Sequence, residues 1–195
     1  IAYMEQRATT KAEELSARRD FELGRLAQGV GDYARWLRRQ ICDAPPSPPF
    51  KGLAPYGVAD GEALLGRDQA FQAIWPQLLS PNHLLVLHAP PGMGKTSLVQ
   101  ARVVPALLQA NHLPLLVRAF DDDPVRAVKR KLLPHLDETP GLAGAPLSHF
   151  LGCVTEWWAG TQVYVLLDRF GQFFDAHPDP AARQAFARAL AACVE

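Results

Sequence analysis

Apolar positions along the chain change their period repeatedly, and each change marks an element. Between residues 1 and 44, Leu23, Leu26, Val30, Tyr33, Leu37 and Ile41 recur at three- and four-residue spacings on a polar background, which predicts an amphipathic helix. Gly24, Gly29 and Gly31 weaken it, so a break is expected near Gly29. Pro45-Pro46-Ser47-Pro48-Pro49 then reads as a stiff, extended spacer and a domain boundary. Beyond it, short apolar runs alternate with helical stripes. Leu84–Leu87, Leu113–Val117 and Val163–Leu167 read as buried strands.

Phe71, Ile74, Trp75 and Leu78 share a helix face that Pro76 should kink or end early. Asp123-Pro124 caps a further helix, with Val125, Val128, Leu132 and Leu133 inward and Pro134 closing it. Leu147, Phe150, Leu151, Val154, Trp157 and Trp158 form another stripe, and its period places both tryptophans in the core. Asp179-Pro180 opens a last helix carrying Phe186 and Leu190. Such alternation implies a parallel sheet covered on both faces.

Composition narrows the class. The 195 residues suffice for one domain with a sizeable core plus an appendage. With 20 Lys and Arg against 20 Asp and Glu, no general electrostatic pull toward nucleic acid or an anionic membrane exists. Arg35, Arg38 and Arg39 look like a basic patch. The first 44 residues nevertheless hold eight basic against seven acidic side chains, as a solvated helix face does. Direct nucleic-acid binding is not expected. Cys42, Cys153 and Cys193 show no paired metal-ligand spacing, and so sparse a set fits a reducing, cytoplasmic setting. No apolar run approaches the ~20 residues needed to span a bilayer. Starting at Ile1-Ala2-Tyr3 with no signal pattern, the chain reads as a fragment of something longer.

Chemistry concentrates in Ala89-Pro90-Pro91-Gly92-Met93-Gly94-Lys95-Thr96-Ser97, between a predicted strand and a predicted helix. A loop of small residues there aims successive backbone N–H groups and the positive helix end at one point, which suits a triphosphate. Gly92, Met93, Gly94, Lys95, Thr96 and Ser97 are the candidate nucleotide-binding residues. Lys95 would reach the β- and γ-phosphates, and the Thr96 hydroxyl would ligate Mg²⁺. Ala89 replaces the first glycine of the usual pattern, which matters only if a positive φ is needed there. Pro90 and Pro91 lack N–H groups, so the phosphate-facing amides start at Gly92.

Asp168 follows the strand Val163–Leu167, where a carboxylate would hold the ion together with Thr96. Lys95 and Asp168 are thus the candidate catalytic pair. Hydrolysis also needs a group that orients water. After Asp168 the chain runs Arg169-Phe170-Gly171-Gln172-Phe173-Phe174-Asp175, with no glutamate. Gln172 can position water without acting as a base, and Asp175 stands about a helical turn too far, so binding is better supported than turnover.

These residues resemble the STAND NTPases, within them the bacterial subgroup called novel STAND NTPase 1, over about residues 48–195. Pro49-Phe50-Lys51-Gly52-Leu53-Ala54-Pro55-Tyr56 is similar to that family's leading segment. Leu65-Gly66-Arg67-Asp68 resembles its hydrophobic-Gly-Arg-acid motif, which implies that Gly66 and Arg67 lie by the base and ribose. Gly94–Val99 through Val104-Pro105-Ala106-Leu107 resembles the phosphate loop and its helix. Val117-Arg118 with Asp122-Asp123-Pro124 resembles the second strand and turn, and Asp179–Phe186 the late helix. Leu166-Leu167-Asp168-Arg169-Phe170 resembles the Walker B segment, usually an aspartate followed by Gln-Phe-Glu-Glu. Arg169, Gly171 and Gln172 depart from it.

The resemblance implies an α/β fold: a three-layer P-loop NTPase with a parallel sheet, incomplete at the C-terminus, preceded by a short helical segment. Its strand order puts a later strand between the phosphate-loop strand and the Walker B strand, and only three strands are counted here. The expected division is a helical segment or effector linker at 1–44, a Pro-rich linker and leading segment at 45–62, and the NTPase portion at 63–195. The implied function is an ATP- and Mg²⁺-binding signalling switch that couples sensing to an effector through conformational change or self-association, in settings that include antiviral defence. Its partners would be nucleotide, further copies of the chain, and effector and sensor modules. The alternative is a hydrolysis-deficient scaffold for protein interaction. A kinase using the same loop ranks last, because no basic lid with clustered arginines follows Leu133.

Overall fold

The computed structural model describes residues 2–43, 48, 50–81, 84–118, 123–158 and 160–194. Most of the Pro-rich spacer (Pro45, Pro46, Ser47, Pro49), and Asp122 of the expected turn, lie outside the described residues. The order is α1 (Ala2–Cys42), α2 (Asp68–Leu78), α3 (Lys95–Leu98), α4 (Val104–Gln109), β1 (Leu113–Val117), α5 (Pro124–Arg130), α6 (Pro140–Gly144), α7 (Leu147–Trp157), β2 (Val163–Leu167), α8 (Gly171–Ala176) and α9 (Pro180–Ala191).

Strands β1 and β2 pair in parallel, Leu113 opposite Val163 through Val117 opposite Leu167. The core is built on β1. Leu113, Leu115 and Val117 are packed with Val128 of α5, Phe150 and Val154 of α7, Phe173 of α8 and Phe186 of α9. Helix α1 enters the same core through Leu26, Val30 and Ala34, while Leu37 joins Val104 and Leu108 in a second cluster. Odd-numbered residues of β1 face β2, as the bonds Leu113 N to Gln162 O and Asp168 N to Val117 O show. Its even positions face outward, where Pro114 needs no N–H. Tyr33 of α1 closes this outer edge: its hydroxyl donates to Pro114 O at 3.1 Å and accepts from Leu116 N at 3.3 Å. A strand edge that would otherwise be open is thus covered by a helix.

Several expectations are corrected. Helix α1 runs unbroken through Gly29. A Cβ at that position would stand 1.9 Å from Leu132 O, so the glycine serves close packing rather than a break. Helix α2 runs through Pro76 to Leu78, because the proline sits in the last turn, where one lost N–H bond is tolerated. Trp157 is 58% exposed at the end of α7, and only Trp158 packs against the core.

The largest departure concerns the sheet. Among the described residues it has two strands, and Leu84–Leu87 forms no ladder. Leu84 and Val86 are 79% and 75% exposed, and β2 is half-buried along its length. The strand order implied by the resemblance needs an intervening strand beside β2, and none of the described segments supplies it. The architecture is mixed, helices around a small parallel sheet, compatible with the P-loop α/β class.

The path from the loop into α4 also has a local cause. Between α3 and α4 lies a π-helical stretch, Val99–Val103. Pro105, the second residue of α4, cannot donate into a regular turn, so the wider turn absorbs the mismatch.

Candidate functional site

The loop before α3 is shaped by two left-handed glycines, Gly92 at φ +78° and Gly94 at φ +75°. Only glycine takes these values without strain, which is the local reason for the spacing. Ala89 is not among the positive-φ residues, so its replacement of glycine costs the backbone nothing. The Lys95 ammonium donates to Pro90 O at 3.0 Å and to Ala89 O, folding back over its own loop.

Thr96 and Asp168, 72 residues apart, meet directly. The threonine hydroxyl donates to Asp168 Oδ1 at 2.8 Å. Parallel pairing brings the C-terminal ends of β1 and β2 to one side, where ligands of open α/β sheets collect, and so sets Arg118 beside Asp168. Asp168 is 8% exposed, and its second oxygen accepts from Arg118 Nε at 2.8 Å. These two hard oxygen donors suit a magnesium-like ion that keeps water and phosphate ligands rather than a full protein cage. No group of three or more His, Cys, Asp or Glu that would form such a cage is found among the described residues.

Gly66, at φ +72°, turns the chain so that Arg67 precedes α2. The Arg67 guanidinium lies against the loop, where a Cβ on Gly94 would stand 3.3 Å from its Nη2. Arg67, Ile74, Leu87, Met93, Gly94 and Lys95 line a cavity of about 150 Å³. An apolar space of that order accepts one benzene-sized ring. A larger cavity, about 450 Å³, lies between α1 and α6 and contains no phosphate-loop residue. Ser97 is turned away from the loop, its Oγ accepting from Tyr56 N at 3.1 Å, which ties the leading segment to the helix. That segment is braced by Asp60, which accepts from Gly57 N at 2.6 Å and pairs with Lys51.

Thr96 thus meets Asp168, and Arg67 lies against Gly94 beside Lys95 and Met93 in the lining of the small cavity. Gly171 and Gln172 start α8, and Gln172 is exposed. Arg169 is exposed with φ +58°, a left-handed turn that carries the chain from β2 into α8. Arg118 is the residue to which sequence reasoning gave no role. Its signal, a basic side chain one position past a strand, acquires meaning only from the β1–β2 register.

A strand-end carboxylate bonded to the threonine of a Gly-Lys-Thr loop is an arrangement compatible with a P-loop NTPase. The family model for Novel STAND NTPase 1 matches residues 49–195, and the chain belongs to that family. Nucleotide and divalent-metal use, and assembly into oligomers, are general to it. Neither a curated protein nor a solved structure matches the chain. No helix among the described residues is long and apolar enough to cross a membrane.

Proposed function

We propose that this chain holds ATP with Mg²⁺ and serves as the nucleotide-reading part of a signalling switch that couples ligand sensing to an effector, in a setting such as antiviral defence. The observation that carries the reading is the Thr96–Asp168 contact at 2.8 Å beneath the Gly92–Lys95 loop. Two residues far apart in the chain, each of a type that a nucleotide site needs, lie together, which supports the reading. Thr96 and Asp168 are the residues that would hold the ion, and Lys95, with the amides from Gly92 onward, would hold the phosphates. The ion supplies charge neutralisation for the phosphate oxygens. Arg67 and the small cavity beside it would seat the ribose and base.

Binding rather than turnover is what we assign. Gly171 and Gln172 stand where the family commonly carries glutamates, and neither offers a carboxylate to orient water. A hydrolysis-deficient scaffold is the second reading, and this substitution is what favours it. Residues 1–44, 45–62 and 63–195 are read as a helical segment or effector linker, a Pro-rich linker with the leading segment, and the NTPase portion, assembling with further copies and partner modules. Free Cys42, Cys153 and Cys193 support a cytoplasmic setting.

Thermal melting tests the reading. Millimolar ATP with Mg²⁺ should raise the melting temperature of the wild type, because a ligand that binds only the folded state stabilises it by about 2.7 kcal/mol at a hundredfold excess over Kd. Lys95→Ala should abolish the shift. Absence of a wild-type shift at millimolar nucleotide would sink the proposal.

A further inference from the structure

Asp168 is doubly engaged within the chain. Its Oδ1 accepts from Thr96 and its Oδ2 from Arg118 Nε, each at 2.8 Å. The carboxylate is 5% exposed and the Arg118 side chain 41%. A buried carboxylate without a counter-charge is costly, so a cation has to stand beside it in the ligand-free protein. Register fixes which one. Val117 pairs with Leu167, so the next residues, Arg118 and Asp168, leave neighbouring strands side by side. Among the described residues Asp168 is the carboxylate that pairs with Arg118.

The geometry points to Arg118 as a counter-ion gate: it holds the charge of Asp168 until nucleotide arrives and so makes divalent-ion binding conditional on nucleotide. The inference rests on the nucleotide reading above. A divalent ion approaching Asp168 alone meets a guanidinium of like sign already bonded to Oδ2. Nucleotide phosphates change both sides of this balance. They add negative charge that draws the ion, and they offer the guanidinium an alternative anionic partner with fork geometry. Arg118 touches neither the phosphate loop nor Thr96 among the described contacts, so it is a positioning residue that acts through Asp168.

The test is a Mn²⁺ titration of the full chain, read by the electron paramagnetic resonance of the free ion, without nucleotide and with ATP. Without nucleotide, Arg118→Gln should bind Mn²⁺ on the order of tenfold more tightly than wild type, within the range of ordinary coupling between sites. Arg118→Lys keeps the charge and should stay near wild type. With ATP the difference between glutamine variant and wild type should shrink to about twofold or less. Arg118→Met makes the same comparison should the glutamine variant fail to fold. Equal Mn²⁺ affinity of the neutral variants and wild type, alongside a normal ATP-induced melting shift, overturns the gate and leaves the nucleotide reading standing. No ATP-induced shift in the wild type removes both.

Discussion

Lys129 shows how much one side chain organises away from the nucleotide. It is 1% exposed, and its ammonium donates to Leu142 O at 2.9 Å, Ala143 O at 3.0 Å and Ala145 O at 2.5 Å. All three of its donors are used on carbonyls at the C-terminal end of α6, which have no intrahelical partner. At the other end, Glu22 of α1 accepts from Gly141 N and Leu142 N at 3.1 and 2.7 Å. A five-residue helix, too short to persist alone, is held between a carboxylate and an ammonium matched to its dipole. Lys129→Met should cost about 1–3 kcal/mol, because it leaves buried carbonyls unpaired. The pH dependence has a definite sign. Burial first, and the Arg126 charge less, hold the Lys129 ammonium below its ordinary value of 10.5, with Asp123 opposing. From that lowered value up to 10.5 the unfolded chain binds more protons than the folded one, so this group makes stability rise with pH across the window. Urea unfolding at a series of alkaline pH values should show the rise in wild type and not in Lys129→Met. Parallel curves would remove the ammonium from the account. None of this is legible in the sequence, where Lys129 is one cation on a short helix. Lys95, Thr96 and Asp168 are legible because their chemistry is carried by local pattern.

Helix α1 was visible as an element from its apolar spacing, yet its continuity was not. Helix propensity counts each glycine as a loss, and three glycines in eight positions predict a weak point. Propensity carries no information about what lies opposite. A Cβ at Gly29 would meet Leu132 O at 1.9 Å, whereas Gly31 and Gly24 have open space around the same position. The two kinds of glycine therefore respond oppositely to alanine. Gly31→Ala should stabilise by up to about 1 kcal/mol, the propensity difference alone. Gly29→Ala should destabilise by roughly 1–3 kcal/mol, because the backbones of α1 and the Leu132 turn must separate. Denaturation midpoints of the two variants, side by side, decide this, and a stabilised Gly29→Ala would mean that α1 is not seated against Leu132. Tyr33 belongs to the same lesson. Its place in the stripe was readable, but its hydroxyl bonds to Pro114 and Leu116 depend on a register between elements that no local pattern encodes.

At the scale of the molecule, strand β2 and the Leu84–Leu87 run raise the same issue. The two-residue alternation of β1 is satisfied on both edges, by β2 on one and Tyr33 on the other. Strand β2 has β1 as its neighbour among the described residues and is half-buried, and the apolar run that feeds the phosphate loop lies open, Leu84 79% and Val86 75% exposed. Exposed apolar segments and unpaired strand backbone favour association with other chains, unless charge or a cover is supplied. His88 is the nearest polar side chain after the run, and neither lysine nor aspartate interrupts it. The 195-residue chain should therefore self-associate with rising concentration, through contacts that need no nucleotide. Val86→Lys places a charge on the exposed side of the run, where no described packing is lost. It should shift the sedimentation coefficient toward that of the monomer at equal concentration, with the unfolding midpoint changed by less than about 0.5 kcal/mol, as for ordinary surface substitutions. The nucleotide arm separates this association from the switch. Assembly through the open run should be unaffected by Lys95→Ala, whereas assembly driven by nucleotide should disappear in that variant. Were Val86→Lys to leave association unchanged and Lys95→Ala to abolish it, the exposed run would not be the contact, and assembly would belong to the phosphate loop.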